Sequence, residues 1–243
     1  MKYAIISDIH GNTEALTAVL EDIEKVGGVD GVWCLGDVTG YGPEPGACID
    51  RLKDLVSVCV AGNHDRGSIE KLDLSVFNPL GQAALRWIQQ QLNAGQQAWL
   101  GTLPLSAADG DFRLVHASPS DPLLEYVLST GIAERNFPFF KERYCFFGHT
   151  HLPEVYKMEG GLCTAASLVP GVGLMLGETK LMINPGSVGQ PRDGDARASY
   201  GILDTDGNVF RLHRVAYDIE ATQAKIMKAG LPVHLATRLE QGR

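Results

Sequence analysis

Residues able to hold metal ions recur along this chain in short clusters. They are Asp8-Ile9-His10, Gly36-Asp37, Gly62-Asn63-His64-Asp65 and Gly148-His149-Thr150-His151, with His116 between the third and the fourth. Five of the seven histidines fall in this set. Asp8 and His10 lie one residue apart, so a strand end can aim both at one cation. Asp37 stands alone after Gly36; its two oxygens can bridge two cations, which in turn favour its ionised form. Asn63 adds a neutral amide oxygen that keeps a two-cation site from becoming too anionic. With His116, His149 and His151 the donors mix nitrogen and oxygen, which suits manganese, iron or zinc better than calcium or magnesium. Such a set is what two-metal hydrolytic chemistry requires. Taken singly, each residue is ordinary: a strand-end Asp is a common cap, and an Asn a common turn former. The joint pattern points to chemistry.

Each cluster follows a short apolar run that reads as a buried strand: Ala4–Ile6, Val32–Leu35, Val56–Val60, Arg113–Val115 and Tyr144–Phe147. In open α/β sheets, chemistry collects at the carboxyl ends of strands. The first sixty residues read strand, helix, strand, helix, strand. The first helix is capped by Asn12 or Thr13, carries an apolar face of Leu16, Val19, Leu20, Ile23 and Val26, and stops at Gly27-Gly28. The turn-rich loop 40–46 leads into a helix through about Leu52. Helix is predicted over 80–92, with a break near Gly95, then over 96–103 up to Pro104, and one short helix within 119–142. Beyond His151 the pattern is β-like at 154–158, 162–168, 180–184, 199–204 and 208–215, with a hairpin turn at 204–208. A helix from about Ile219 to Lys228 follows. The Gly-rich stretch 168–177 shows no clear pattern. No repeat or linker breaks the chain, so one domain over 1–243 is expected.

Composition narrows the partners. The net charge of −8 argues against a nucleic-acid polymer held on a basic surface. It leaves room for a small phosphorylated substrate, because bound cations reverse the local sign. Cys34, Cys48, Cys59, Cys145 and Cys163 form no CxxC pair and fit a reduced, cytoplasmic protein. No stretch approaches the roughly 18 apolar residues of a membrane span, and the N-terminus lacks a signal-peptide pattern. The chain contains no P-loop, no GxGxxG with its third glycine and no HExxH. Ser118 lies outside any nucleophile-elbow context.

The order D-x-H, G-D, G-N-H-[ED], H, G-H-x-H resembles the calcineurin-like metallophosphoesterase superfamily. The likeness runs by motif over residues 3–151 and extends to Asn184–Arg192, which is similar to a loop of the compact bacterial and archaeal phosphodiesterase branch. The resemblance implies an α/β (α+β) fold: a four-layer αββα sandwich of two mixed β-sheets flanked by helices, with a dinuclear metal site at the strand ends. It implies that Asp8, His10 and His151 hold one metal, that Asn63, His116 and His149 hold the other, and that Asp37 bridges them. A hydroxide between the metals would attack phosphorus in line. His64 would protonate the leaving group, with Asp65 orienting its ring; the plainer readings are a structural role for His64 and a loop-bracing hydrogen bond for Asp65. Arg66 and Arg192 are candidates for phosphate recognition because arginine matches phosphate with a planar fork.

Two departures stand out. Ala117 replaces a frequent Gly after His116, and 154–180 is longer than the family's usual hairpin: a lip over the site, a contact between copies in a homo-oligomer, or simply a longer hairpin. The loops around Asp37 and Asn184–Arg192 are similar to proteins grouped with diadenosine polyphosphate hydrolases. Small, nucleotide-like phosphodiesters or phosphoanhydrides are therefore expected, with manganese the first choice of metal. The alternatives are a cyclic-nucleotide or general phosphodiesterase, a phosphoprotein phosphatase, and a metal-binding scaffold without turnover.

Overall fold

The computed structural model describes residues 1–243. The first half of the chain forms β1 (Lys2–Ile6), α1 (Thr13–Lys25), β2 (Gly31–Cys34), α2 (Pro45–Leu52), β3 (Val56–Cys59), α3 (Asn63–Ser68), α4 (Pro79–Ile88) and α5 (Ala94–Thr102). Next come β4 (Ser106–Asp109), β5 (Phe112–Val115), α6 (Thr130–Asn136), β6 (Tyr144–Phe146), β7 (Pro153–Glu159), β8 (Leu162–Ser167), β9 (Gly173–Met175) and β10 (Lys180–Pro185). The chain closes with β11 (Ala198–Asp204), β12 (Val209–Val215), α7 (Ile219–Lys228) and α8 (Val233–Thr237). The strands make two mixed six-stranded sheets, ordered β3-β2-β1-β11-β12-β9 and β4-β5-β6-β10-β7-β8.

Side chains alternate across a strand, and β1 shows how this builds four layers. Ala4 and Ile6 pack outward with Leu16, Val19, Cys48 and Ile49 of the helices. Ile5 points the other way, into a layer with Trp33, Phe146, Ile183 and Phe210 that glues the two sheets together. On the far side of the second sheet Cys145, Phe147 and Met182 pack against Ala133 and Phe137. The layers run helix, sheet, sheet, helix, as the resemblance implied. All five cysteines are free and buried. No helix is long and apolar enough to cross a membrane.

Parallel pairing places the loops. β1, β2 and β3 are parallel, as are β5, β6 and β10. Loops leaving neighbouring carboxyl ends then bond to one another: Asp8 N donates to Gly36 O (3.0 Å), His10 N to Asp37 O (2.9 Å) and Gly148 N to His116 O (2.7 Å).

Several expectations are corrected. The break between α4 and α5 spans 89–93, not Gly95. Asn93 caps α5, accepting from Gln96 N while Gln96 Oε1 accepts from Asn93 N, both at 3.0 Å, and Gly95 sits within the first turn. Val26 belongs to the C-cap of α1 rather than to its apolar face, and is 43% exposed. Beyond the strand that delivers them, Asn63, His64 and Asp65 form the first turn of a helix. The stretch 154–180 is a β7–β8 hairpin followed by a crossing from the edge of one sheet to β9 on the edge of the other, where Gly173–Met175 pairs with β12.

One buried residue ties the layout together. Asn12 Oδ1 caps α1 at Ala15 N (3.1 Å) and accepts from Thr222 Oγ1 of α7 (3.1 Å), while its Nδ2 donates to Gly189 O (3.0 Å). Losing a cap costs about 1 kcal/mol, and a stranded buried partner about 1–3 kcal/mol more. Asn12→Ala should therefore lower the unfolding free energy by roughly 2–4 kcal/mol in urea denaturation; a loss under about 0.5 kcal/mol would show that this side chain is not the tie.

Candidate metal centre

The clusters meet where the two sheets present their carboxyl ends, and the backbone there is tightly turned. Eight non-glycine residues have positive φ, and six are here: Asp8 (55°), His10 (50°), Asp37 (53°), Tyr41 (46°), His149 (65°) and His151 (61°). That conformation disfavours any residue with a Cβ, and its concentration at one place is typical of a functional site. Two glycines permit the crowding. A methyl on Gly62 would overlap the Asp37 carboxylate, and one on Gly148 would overlap the Ser7 hydroxyl beside Asp8.

Backbone carbonyls aim three of the rings. The Nδ1 atoms of His10, His116 and His151 donate to Thr39 O (3.0 Å), Leu35 O (2.9 Å) and Gln190 O (2.5 Å). His10 and His151 therefore present bare Nε2 lone pairs inward, while His116 turns its Nε2 towards the Asp37 carboxylate. His10 Nε2 and His151 Nε2 lie 3.1 Å apart, and Asp8 Oδ1 is 3.3 Å from His151 Nε2 with no hydrogen-bond donor of its own. Lone pair faces lone pair in a dry place, and only a cation or a proton between them relieves the repulsion. His116 Nε2 sits 3.1 Å from both Asn63 Oδ1 and His149 Nδ1. Asp37 Oδ2 lies between the two groups, 3.7 Å from His10 Nε2 and 3.4 Å from His116 Nε2; its Oδ1 accepts from His64 N at 2.9 Å. The structure thus brings together Asp8, His10, Asp37, Asn63, His116, His149 and His151, and their donors fit metal cations. Asp8-His10-His151 and Asp37-His116-His149 each gather three such atoms within 4.8 Å, as do His10-Asp37-His64.

Electrostatics agrees with the geometry. Burial drives the His10 and His151 rings towards neutrality, and His149 down to about 3, leaving their lone pairs free at neutral pH. Burial also opposes charge on His116, but the Asp37 carboxylate outweighs it and raises that ring to about 9. Burial would raise both aspartates, yet the neighbouring histidines hold Asp8 and Asp37 below the ordinary carboxylate range.

The remaining expected residues divide. The His64 ring packs among Tyr41, Phe77 and His10, at centroid distances of 4.5, 4.9 and 5.0 Å. Its Nδ1 has no partner, and burial lowers it to about 4. Asp65 does not orient that ring. Its oxygens accept from Thr39 N (3.0 Å), Thr39 Oγ1 (3.1 Å) and Gly62 N (3.0 Å), so it closes the capping box of α3 and braces the loop behind Asp37. Arg66 is turned away, donating to Leu103 O at 2.5 Å. Arg192 stands beside the cluster, its guanidinium 5.9 Å from the centre of the Tyr41 ring. Sequence reading passed over the aromatic walls: Tyr41, whose only signal was the Gly40-Tyr41-Gly42 turn, and Tyr126, whose ring lies 3.9 Å from that of His149, tilted by 32°.

The profile of the calcineurin-like phosphoesterase superfamily domain matches residues 1–208. The chain belongs to this superfamily. It is 39% identical to an uncharacterised protein of Methanocaldococcus jannaschii, over 99% of this chain and 98% of that one. A metallophosphoesterase from Sphaerobacter thermophilus has a crystal structure that superimposes with a TM-score of 0.92 at 43% identity, covering 100% of this chain and 99% of that one. A symmetrical bis(5'-nucleosyl)-tetraphosphatase of Aromatoleum aromaticum is 29% identical over 46% of this chain and 42% of its own length.

A ring raised to about 9 carries a proton at pH 7, which a metal must displace. Metal binding at pH 7 should therefore release about one proton more from the wild-type protein than from His116→Asn. Calorimetry in buffers of different ionisation enthalpy measures this; equal release from the two proteins would contradict the assignment of the His116 proton.

Proposed function

We propose that this chain is a two-metal phosphoesterase acting on small phosphodiester or phosphoanhydride substrates. The observation that carries the reading is the position of Asp37 Oδ2 between His10 Nε2 and His116 Nε2, at 3.7 and 3.4 Å. Asp8, His10 and His151 would hold one cation, Asn63, His116 and His149 the other, and Asp37 both. Manganese suits this mixed donor set, with iron or zinc as alternatives. When bound, the cations supply Lewis acidity towards the phosphoryl oxygens and acidify water for in-line attack.

The chain's own groups do the rest. The carbonyls of Thr39, Leu35 and Gln190 hold the Nδ1–H of three ligand rings, so that Nε2 is the atom each would offer to a cation. His64 lies beside the cluster, its ring 5.0 Å from that of His10, and serves as proton donor to the leaving oxygen. Burial keeps it neutral at rest, and an arriving phosphate, being negative, raises its proton affinity. Tyr41, Phe77 and Tyr126 line a cleft of about 150 Å³ with His64 and His149 at its edge. Aromatic walls suit a planar substituent such as a nucleobase, consistent with the partial likeness to a nucleosyl tetraphosphatase. A single domain over 1–243 in the reducing cytoplasm fits the five free, buried thiols.

The reading is tested by manganese-dependent hydrolysis of a phosphodiester, a phosphomonoester and diadenosine tetraphosphate at matched concentration. Preference for the dinucleotide supports the proposal in its nucleotide form, preference for the simple diester supports a general phosphodiesterase, and no turnover of any with metals loaded contradicts it. His64→Ala should lower kcat by roughly 10²- to 10⁴-fold with metal content retained; unchanged turnover would remove His64 from the mechanism.

A further inference from the structure

Two arginines beside the cluster make no ion pair with an Asp or Glu side chain. The guanidinium carbons of Arg192 and Arg238 lie 5.9 and 6.0 Å from the centre of the Tyr41 ring. That ring in turn sits 4.9 Å from His10 and 4.5 Å from His64. Four other arginines pair with carboxylates: Arg113 with Glu142, Arg143 with Glu178, Arg197 with Asp195 and Arg214 with Asp193. Arg192 and Arg238 have none, in a chain where acidic residues outnumber basic ones 29 to 21. Arg192 Nη2 donates to Gln190 Oε1 at 3.1 Å, and its Nε is buried without an acceptor. Arg238 Nε donates to the backbone oxygen of Arg243, the last residue of the sequence, and both terminal nitrogens make no hydrogen bond to the protein. Burial and the Arg192 charge both work against the protonated Arg238. Arg192 is also fixed to the metal-ligand loop, since Gln190 O is the anchor of His151 Nδ1. Both guanidinium groups are half-buried, and an anion between them relieves their mutual repulsion.

We propose that Arg192 and Arg238 form an anion subsite that takes a second phosphate of the substrate, next to the phosphate being cleaved. The guanidinium fork matches phosphate oxygens two at a time. Neither arginine hydrogen-bonds to a ligand side chain of the cluster, and Tyr41 touches both sets, so an anion held here stands beside the metal position rather than in it. The subsite rests on the proposed phosphoesterase reading and narrows it to phosphoanhydrides and nucleoside polyphosphates, whose phosphates come in adjacent pairs. Arg238 lies beyond the residues matched by the family profile, which end at 208, so the C-terminal helices contribute to substrate choice.

The test is calorimetric binding of methylenebisphosphonate and of orthophosphate to manganese-loaded wild type, Arg238→Ala and Arg238→Lys. A charge-assisted hydrogen bond is worth enough for about a tenfold change in affinity. Arg238→Ala should weaken the bisphosphonate by about tenfold or more beyond any loss on orthophosphate, and Arg238→Lys should fall between it and wild type. Equal losses on the two ligands, or none, overturn the subsite. Should Arg238→Ala fail to fold, Arg192→Lys carries the same comparison, since it keeps the charge and loses the fork. Turnover assays on the same preparations separate the two readings. Selective bisphosphonate binding without any phosphoester turnover leaves the subsite and removes the proposed activity, whereas turnover without selectivity removes the subsite alone.

Discussion

The arrangement depends on a repulsion that the chain has been built to maintain. His10 Nε2 and His151 Nε2 point at each other across 3.1 Å, with Asp8 Oδ1 beside them, all in the buried end of a sandwich. Left alone, such acceptors would turn apart, because burying unpaired polar atoms is unfavourable. They are prevented from doing so at the other end of each ring, where a carbonyl accepts Nδ1–H. Those carbonyls belong to loops pinned by parallel strands, and the loops fit only because Gly62 and Gly148 lack side chains where Asp37 and Ser7 pass. Left-handed backbone at Asp8, His10, Asp37, His149 and His151 is another cost of the same geometry. Stability is given up locally so that a cation finds its ligands already in place, as linkage between binding and folding allows.

Much of this was legible in the residues. Ligand types cannot substitute freely for one another, so D-x-H, a lone Asp and H-x-H survive as readable marks, and the short apolar runs before them mark the strands that carry them. The helix α1 was legible through its cap, Asn12, and its apolar spacing, and α7 runs over the expected Ile219–Lys228. What escaped the sequence has physical causes. β9 is three residues long with a glycine, too short for any period to show, and it exists because β12 offers it an edge. The position of the α4–α5 break was set by the capping box at Asn93, a stronger signal than Gly95. Asp65 adjoins His64 in the chain, but helix geometry sends its carboxylate back to Gly62 and Thr39. Adjacency in sequence suggested a partnership that the backbone turn forbids.

The surroundings of the cluster were its least legible part, because they come from residues far apart in the chain. Tyr41, Phe77, Tyr126, Arg192 and Arg238 come from five separate segments and meet only in the folded molecule. One fold serves many substrates by changing such parts.

The central claim is that two cations share the Asp37 carboxylate. A crystal soaked in manganese and measured for anomalous scattering tests it most directly. The account predicts two peaks per chain, one among Asp8, His10 and His151 and one among Asn63, His116 and His149, with Asp37 touching both. A single peak, or two peaks of which one makes no contact with Asp37, would contradict it.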